Sequence, residues 1–374
     1  MKKLSLNILF IGALMCWVFG SAAVASQLIV YYDGDGEGLE RAAKIFTKET
    51  RINVLIKRGE PEVLFNKLLE EGEGTQADAY ITKQAAFLEQ GREAGLFQNA
   101  VRLGPQFDGA FGDLVPGDGM EFSEMMMDNI DSAPFPHARD ITQGLSTKHR
   151  AEDDSWLGLA LSARVLFFNK DSEDAYGVTS VFELADPKWK GRLAMTSFYD
   201  EDVVSSIVAL RKAVGDKKLD AWLRGLKENL NGKVYESQSK AMDALVSGEK
   251  QVGWLNHGYL RVDLSKSMSE AKVEMLMPDS GAKDVGVPWN MMGMAALKAS
   301  HNIDFIHEFF GFLLSHHGQS VLHHSEGVLS VNFSAPPDPN LIPDTDFKVL
   351  EVPKSLLDVQ RSEVIELLRG LEMP

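Results

Sequence analysis

The segment Asp33-Gly34-Asp35-Gly36-Glu37-Gly38 gathers three carboxylates on a glycine-rich turn. Such a turn can offer backbone amides to a phosphate or carboxylates to a cation. The first use lacks its full motif, because G-x-G-x-x-G is absent. The second fails as a calcium loop: counted from Asp33, position twelve is Lys44, where a bidentate Glu is required. What stays open is a ligand contact through Asp33 or Asp35, against a plain solvated turn. Two histidine pairs, His316-His317 and His323-His324, together with Met125 to Met127, invite a soft-metal reading. The pairs are seven residues apart, and Ser320 and Val321 stand where a chelating helix would place its next histidine. They read as structural or solvent-facing. His307-Glu308-Phe309-Phe310-Gly311 has glycine in place of the second histidine of H-E-x-x-H. G-x-S-x-G and the phosphate-loop lysine motif are absent, and no spacing pairs two carboxylates for acid–base work. None of these segments carries a complete enzyme signature.

The elements that carry these segments alternate. Leu28 to Tyr32 is a short apolar run of the kind a buried parallel strand shows. Leu39, Ala42, Ala43 and Phe46 then recur at helical spacing. Ile52 begins a second strand, and Pro61 opens a helix carrying Leu64 and Leu68, as proline does at a first helical position. Asp78 to Ile81 is a third strand, followed by a helix from Gln84 towards Ala94. This rhythm implies a parallel, helix-covered sheet. It breaks over 104–140, a Gly-, Asp-, Pro- and Met-rich stretch that reads as an inserted excursion. Val165 to Asn169 and Val252 to Leu255 resume as strands. Helices are expected at Val203 to Val214, Leu219 to Asn229, Ile303 to Leu314 and Ser355 to Leu371. A second α/β unit after a crossing segment suggests two lobes and a cleft, a preferred place for small ligands.

The N-terminus carries Lys2 and Lys3, an apolar run from Ile8 to Phe19, and Ala23-Val24-Ala25. That is the layout of an export leader cleaved after Ala25, and the run is short of the ~20 residues a spanning helix needs. The 349 residues that remain are ample for one large core or two smaller ones. Cleavage takes Lys+Arg from 38 to 36 against 54 Asp+Glu, a net charge of −18, which argues against nucleic acid and anionic membranes. It also removes Cys16, the only cysteine, so disulfides and thiol chemistry are excluded.

Several segments, in order, resemble the periplasmic ferric-iron-binding proteins and their wider cluster of ABC importer receptors. They include LIVYYDGDGEGLERAAKIFTKETRINV, QADAYITKQAAFLEQGREAGLFQ, WLGLALSARVLFFNKD, VFELADPKWKGRLAM, KVYESQSKAMDALVSGEKQVGWLNHGYL, PWNMMGMAALKASHN and LIPDTDFKVLEV. The resemblance implies an α/β, two-lobed periplasmic-binding-protein fold with a hinge and an interlobe ligand cleft. It also implies a site. Arg164 falls where the family pairs an arginine with a ligand anion, and Gln238 and Asn256 where it has anion-contacting amides. Thr196 and Ser197 precede a helix whose N-terminus binds an anion in relatives. Asn256-His257-Gly258-Tyr259 keeps one of two family tyrosines, whose phenolates suit Fe(III), and has Gly258 for the other. Asp35 or Asp33 stands near a family histidine ligand, and Glu60, with Glu62 competing, near a carboxylate ligand.

The expected division is a leader at 1–25, a first lobe from 26–164 and 285–325 with the 104–140 insertion, and a second lobe from 165–284 and 326–374. The resemblance implies a periplasmic, monomeric receptor that serves the permease and ATPase subunits of an ABC importer. The expected ligand is ferric iron with a synergistic anion, carried as cargo, with no cofactor. A small organic anion such as a phosphonate or sugar phosphate is the alternative, as is presentation of the ligand to a sensor kinase.

Overall fold

The computed structural model describes residues 27–34, 37–101, 145–258, 272–326, 328–331, 348–350 and 357–374. The leader and the 104–140 excursion lie outside them.

Strand β1 (Gln27–Tyr32) sends Leu28, Val30 and Tyr32 to one face of its sheet and Tyr31 to the other, as alternating side chains must. Helix α1 (Gly38–Thr50) covers the first face with Leu39, Ala42, Ala43 and Phe46. Arg51, left-handed at φ 65°, ends it by donating its N–H to Thr47 O. Strand β2 (Asn53–Arg58) follows, and α2 (Pro61–Glu71) starts on Pro61 as expected, burying Leu64, Phe65 and Leu68 on the opposite face. Strand β3 (Ala79–Thr82) and α3 (Ala85–Glu93) complete the alternation, and β4 (Phe97–Gln98) returns along the edge of a later strand.

The sheet is mixed rather than parallel. The β1–β2 and β1–β3 pairs are parallel, but β3 pairs antiparallel with β9 (Val287–Leu297), and β9 with β5 (Trp156–Asn169). β5 is longer than the sequence suggests and β9 was not anticipated as a strand; each crosses from one sheet to another. Trp156 to Ala163 of β5 pair with β9. From Arg164 onward β5 lies between β7 (Val252–Asn256) and β8 (Val273–Leu276), and β6 (Leu193–Ala194) pairs parallel with β7. Where β9 meets β5, Gly293 is packed too closely for a side chain: a Cβ there would sit 2.4 Å from Leu88 Cδ1 and 3.0 Å from Leu157 O.

The two sheets have separate cores. The first is filled by α1, α7 (Ile303–Leu314) and α8 (His316–Glu326) on one face, with Phe46 against Phe309 at 5.0 Å between ring centroids. Leu64, Phe65, Phe87 and Trp156 fill its other face. The second holds α4 (Glu201–Val214), α5 (Asp216–Leu230) and the tryptophans Trp189, Trp222 and Trp254. Its opposite face takes α6 (Gln238–Val246). The closing helix α9 (Leu357–Gly370) adds Val364 and Leu368 to this second core, and β11 (Val349–Leu350) pairs with β9 at Val287. Residues 328–331, beyond the expected start of the second lobe's closing segment, pack in the first core, with Leu329 of β10 (Leu329–Ser330) opposite Leu161.

Candidate functional site

Arg164 occupies the point where β5 leaves one sheet for the other. Ala163 still pairs with Trp289 of β9, whereas Arg164 pairs with Asn256 of β7. The arginine is 1% exposed. Such a cation is tolerated only with compensating groups around it. Its Nη1 donates to Asn256 Oδ1 at 3.1 Å, and the guanidinium lies 5.0 Å from the centroid of the Trp254 ring, a cation–π distance. Asp200, at the N-cap of α4, also faces it electrostatically. Desolvation raises that carboxyl above its ordinary value, while Thr196 and Arg164 pull it back.

Asn256 is the node of the site. Its backbone N–H donates to Gln238 Oε1 at 2.7 Å, and Gln238 is held as the first residue of α6, capped by Ser237. Its Nδ2 donates to Asp202 Oδ2 at 2.5 Å. Asp202 Oδ1 in turn accepts from Asn290 Nδ2 at 3.0 Å, and that Nδ2 also reaches Lys83 O at 2.7 Å. Lys83 N–H donates to Asp33 Oδ1 at 2.8 Å. A continuous chain of hydrogen bonds thus runs Asp33–Lys83–Asn290–Asp202–Asn256–Arg164, from the ends of β1 and β3 in the first half to β5 and β7 in the second. Asp33 also accepts from Thr82 Oγ1 and, at 3.4 Å, from Tyr80 OH. Burial pushes its carboxyl up to about 6, against the opposing pull of the Thr82 and Lys83 hydrogen bonds.

His257 is fully buried beside the node. Its Nδ1 accepts the Ala163 N–H at 3.1 Å, which places the proton of the neutral ring on Nε2. Burial, helped by the charge of His323, depresses its pKa to about 4. Of the four doubted histidines, His323 is buried, His316 and His317 are exposed, and His324 lies among the side chains not described.

Of the expected anion group Arg164, Ser197, Gln238 and Asn256, the hydrogen bonds link Arg164 to Asn256 and Asn256 to Gln238. Ser197 lies just beyond β6 at the head of α4, where its Oγ accepts the Tyr199 N–H at 3.2 Å. Glu60 stands apart. It is the extended N-cap of α2 with an exposed side chain, and its carbonyl accepts from Leu64 N–H. Tyr259 and Asp35 lie outside the described residues. Among those described, no group of three or more His, Cys, Asp or Glu side chains is placed to hold a metal ion. Sequence reasoning missed Asp202, Asn290, Lys83 and Trp254. The one available signal was the position of Asp202 in the first helical turn after Thr196-Ser197. Chemically, the arrangement is a buried guanidinium on an aromatic face, framed by fixed amides and next to carboxylates that are already hydrogen-bonded. Such a donor set is of the kind that pairs with an anion.

The chain is similar to known proteins along most of its length. The "Fe(3+)-binding periplasmic protein" of Serratia marcescens is 26% identical over 359 residues, covering 95% of this chain and 93% of that protein. Iron-bound HitA from Pseudomonas aeruginosa shares the fold with a TM-score of 0.73 at 23% identity, covering 92% of this chain and 99% of that one. A Trichodesmium protein solved with iron and citrate ligands gives 0.71 at 20% identity, covering 93% and 100%. These likenesses identify the two cores joined by β5 and β9 as the two lobes of a periplasmic-binding-protein fold. The profile described as "Bacterial extracellular solute-binding protein" matches residues 120–352. Since that match takes in more than half of the sequence, the chain belongs to the bacterial extracellular solute-binding protein family.

Proposed function

We propose that the chain captures ferric iron together with an anion in the cleft between its lobes, in the periplasm, and delivers it to the permease and ATPase subunits of an ABC importer. On this reading it is exported, cleaved after Ala25, works as a monomer and carries out no chemical step. The observation that carries the reading is the buried Arg164–Asn256 pair at the crossing between the sheets; in the sequence Tyr259 follows Asn256 by three positions. The guanidinium and its amides would hold the anion, and a phenolate at Tyr259 would supply a hard donor to the metal. Asp35 is the second proposed donor. The names of the iron-binding relatives support the choice of metal.

A second reading, a small phosphorylated or carboxylated organic ligand, draws support from Asp33 and Asp202. Both carboxylates are engaged within the protein, by Thr82 and Lys83 and by Asn256 and Asn290 respectively. Titration with ferric citrate separates the two. Iron binding should give a visible phenolate charge-transfer band and thermal stabilisation. Absence of both, with a small organic anion found by mass spectrometry in protein purified from its host, would establish the second reading.

A further inference from the structure

Helix α4 begins with two adjacent carboxylates, Glu201 and Asp202, and each is bonded to a group that reaches the other lobe. Asp202 accepts from Asn290, whose amide is also tied to Lys83 O at the end of β3. Glu201 is gripped by Arg361 of α9, through Nε at 3.0 Å and through Nη2. The same Nη2 donates to Glu62 Oε1 at 2.9 Å, and the guanidinium lies 5.7 Å from the Phe87 ring centroid. Glu62 and Phe87 belong to α2 and α3 of the first lobe. Arg361 and Glu201 belong to helices packed in the second core. Arg361 and Glu201 side chains are 14% and 18% exposed, whereas Glu62 is 64% exposed. The grip on Glu201 is therefore the sheltered one and the bond to Glu62 the exposed one, while α9 itself packs against both α4 and α3.

We propose that the first turn of α4 is a two-armed clasp that holds the lobes closed: one arm runs from Asp202 to Asn290, the other from Glu201 through Arg361 to Glu62. The clasp uses protein groups alone, so it acts on the closing equilibrium whatever ligand is bound. Apparent affinity scales with the fraction of molecules in the binding-competent state. Arg361 and Glu62 thereby set ligand affinity without touching ligand. The Asp202 arm has a further effect, because Asp202 also holds Asn256 and through it Arg164. An anion that fixes Arg164 and Asn256 fixes one side of the clasp, which makes Asp202 a positioning residue for closure.

The test is independent of ligand identity in its first readout. The chain after the leader has no cysteine, so spin labels can be placed through Lys44→Cys on α1 and Lys217→Cys on α5, both exposed. Distances are then measured in ligand-free protein carrying Glu62→Lys, Asn290→Ala, both, or the milder Glu62→Gln. Each single change should add a longer-distance component, and the double change should add more. Melting temperature should stay close to that of the parent, since each cut lies between the lobes and not in a core. Ferric citrate should dissociate faster, with affinity lower by roughly 1.5- to fivefold per arm. Unchanged distances in the double variant would overturn the clasp, as would weaker binding without any change in distance. This use of ferric citrate rests on the iron reading. Failure of the parent to bind it would remove that reading while the distance measurement still decides the clasp.

Discussion

Replacing Asp33 with asparagine should reveal two opposed titrations that the parent protein hides. Asp33 has its folded pKa raised from 3.8 to about 6, chiefly by burial. The folded state therefore binds its proton more tightly, and its contribution to stability is present below pH 3.8 and lost as pH rises through 6. At 1.36 kcal/mol per unit, that loss is about 3 kcal/mol. His257 runs the other way. Its folded pKa falls from 6.5 to about 4, so the folded state binds fewer protons and stability is lost as pH falls from 6.5 through 4. That is again about 3 kcal/mol. The two windows nearly coincide, and their slopes should largely cancel. Asparagine keeps an oxygen to accept from Lys83 N–H but turns an amide NH2 towards Thr82 and Tyr80, a change that offsets the curve at every pH and leaves its slope to the lost titration. Urea unfolding of parent and Asp33→Asn at steps between pH 3.5 and 7.5 gives a difference curve in which every other carboxylate drops out. The advantage of the variant should grow by about 3 kcal/mol across that range, most steeply between pH 4 and 6. A flat difference curve, or one of opposite sign, would refute the account of Asp33 as a carboxyl desolvated by burial beside Thr82.

In the companion variant His257→Asn, an acceptor for the Ala163 N–H remains but the imidazole titration is gone, so its stability relative to the parent should improve as pH falls from 6.5 to 4, by urea unfolding over the same series. Arg164→Ala should weaken ligand binding roughly 10- to 150-fold, the equivalent of ~1.5–3 kcal/mol for a lost charge-assisted bond, as read by calorimetry. Single alanine changes at His316, His317, His323 and His324 should each cost less than that; a larger loss at His317 would restore a soft-metal reading. Tyr259→Phe keeps the ring but removes the oxygen, so the visible band of protein loaded with ferric citrate should disappear; a band of undiminished intensity would place the phenolate elsewhere.

What the sequence disclosed depended on how local the cause was. The helices starting at Gly38, Pro61 and Ala85 were legible because proline, glycine and a 3.6-residue apolar spacing act over a single turn. The strand Val287–Leu297 was not read from its composition, because methionine, glycine and asparagine carry no strand preference and its β3 partners lie more than 200 residues away. β5 was recognised only over its second half, since a strand buried on both faces shows no alternation to mark where it starts. In the site, Arg164, Gln238 and Asn256 were reached through resemblance, and the fold puts them in contact. Asp202 and Asn290 were invisible because nothing in their own neighbourhoods tells that they share a hydrogen bond; their proximity is made by the crossing of β9. Glu62, weighed as a ligand beside Glu60, is bonded to Arg361 of the last helix, a partner nearly 300 residues away that no local pattern reveals.

The register of β5 fixes where Arg164 stands in any swinging motion of the lobes. Ala163 is the last residue paired with β9, and Arg164 the first paired with β7. A group at the axle of a rotation barely travels, while groups far from it sweep through wide arcs. An anion seated on Arg164 would therefore keep its place as parts of the two lobes far from the crossing come together. Capture becomes a matter of walls arriving around a stationary guest, so the first encounter and the sealed complex can use the same bond to Arg164.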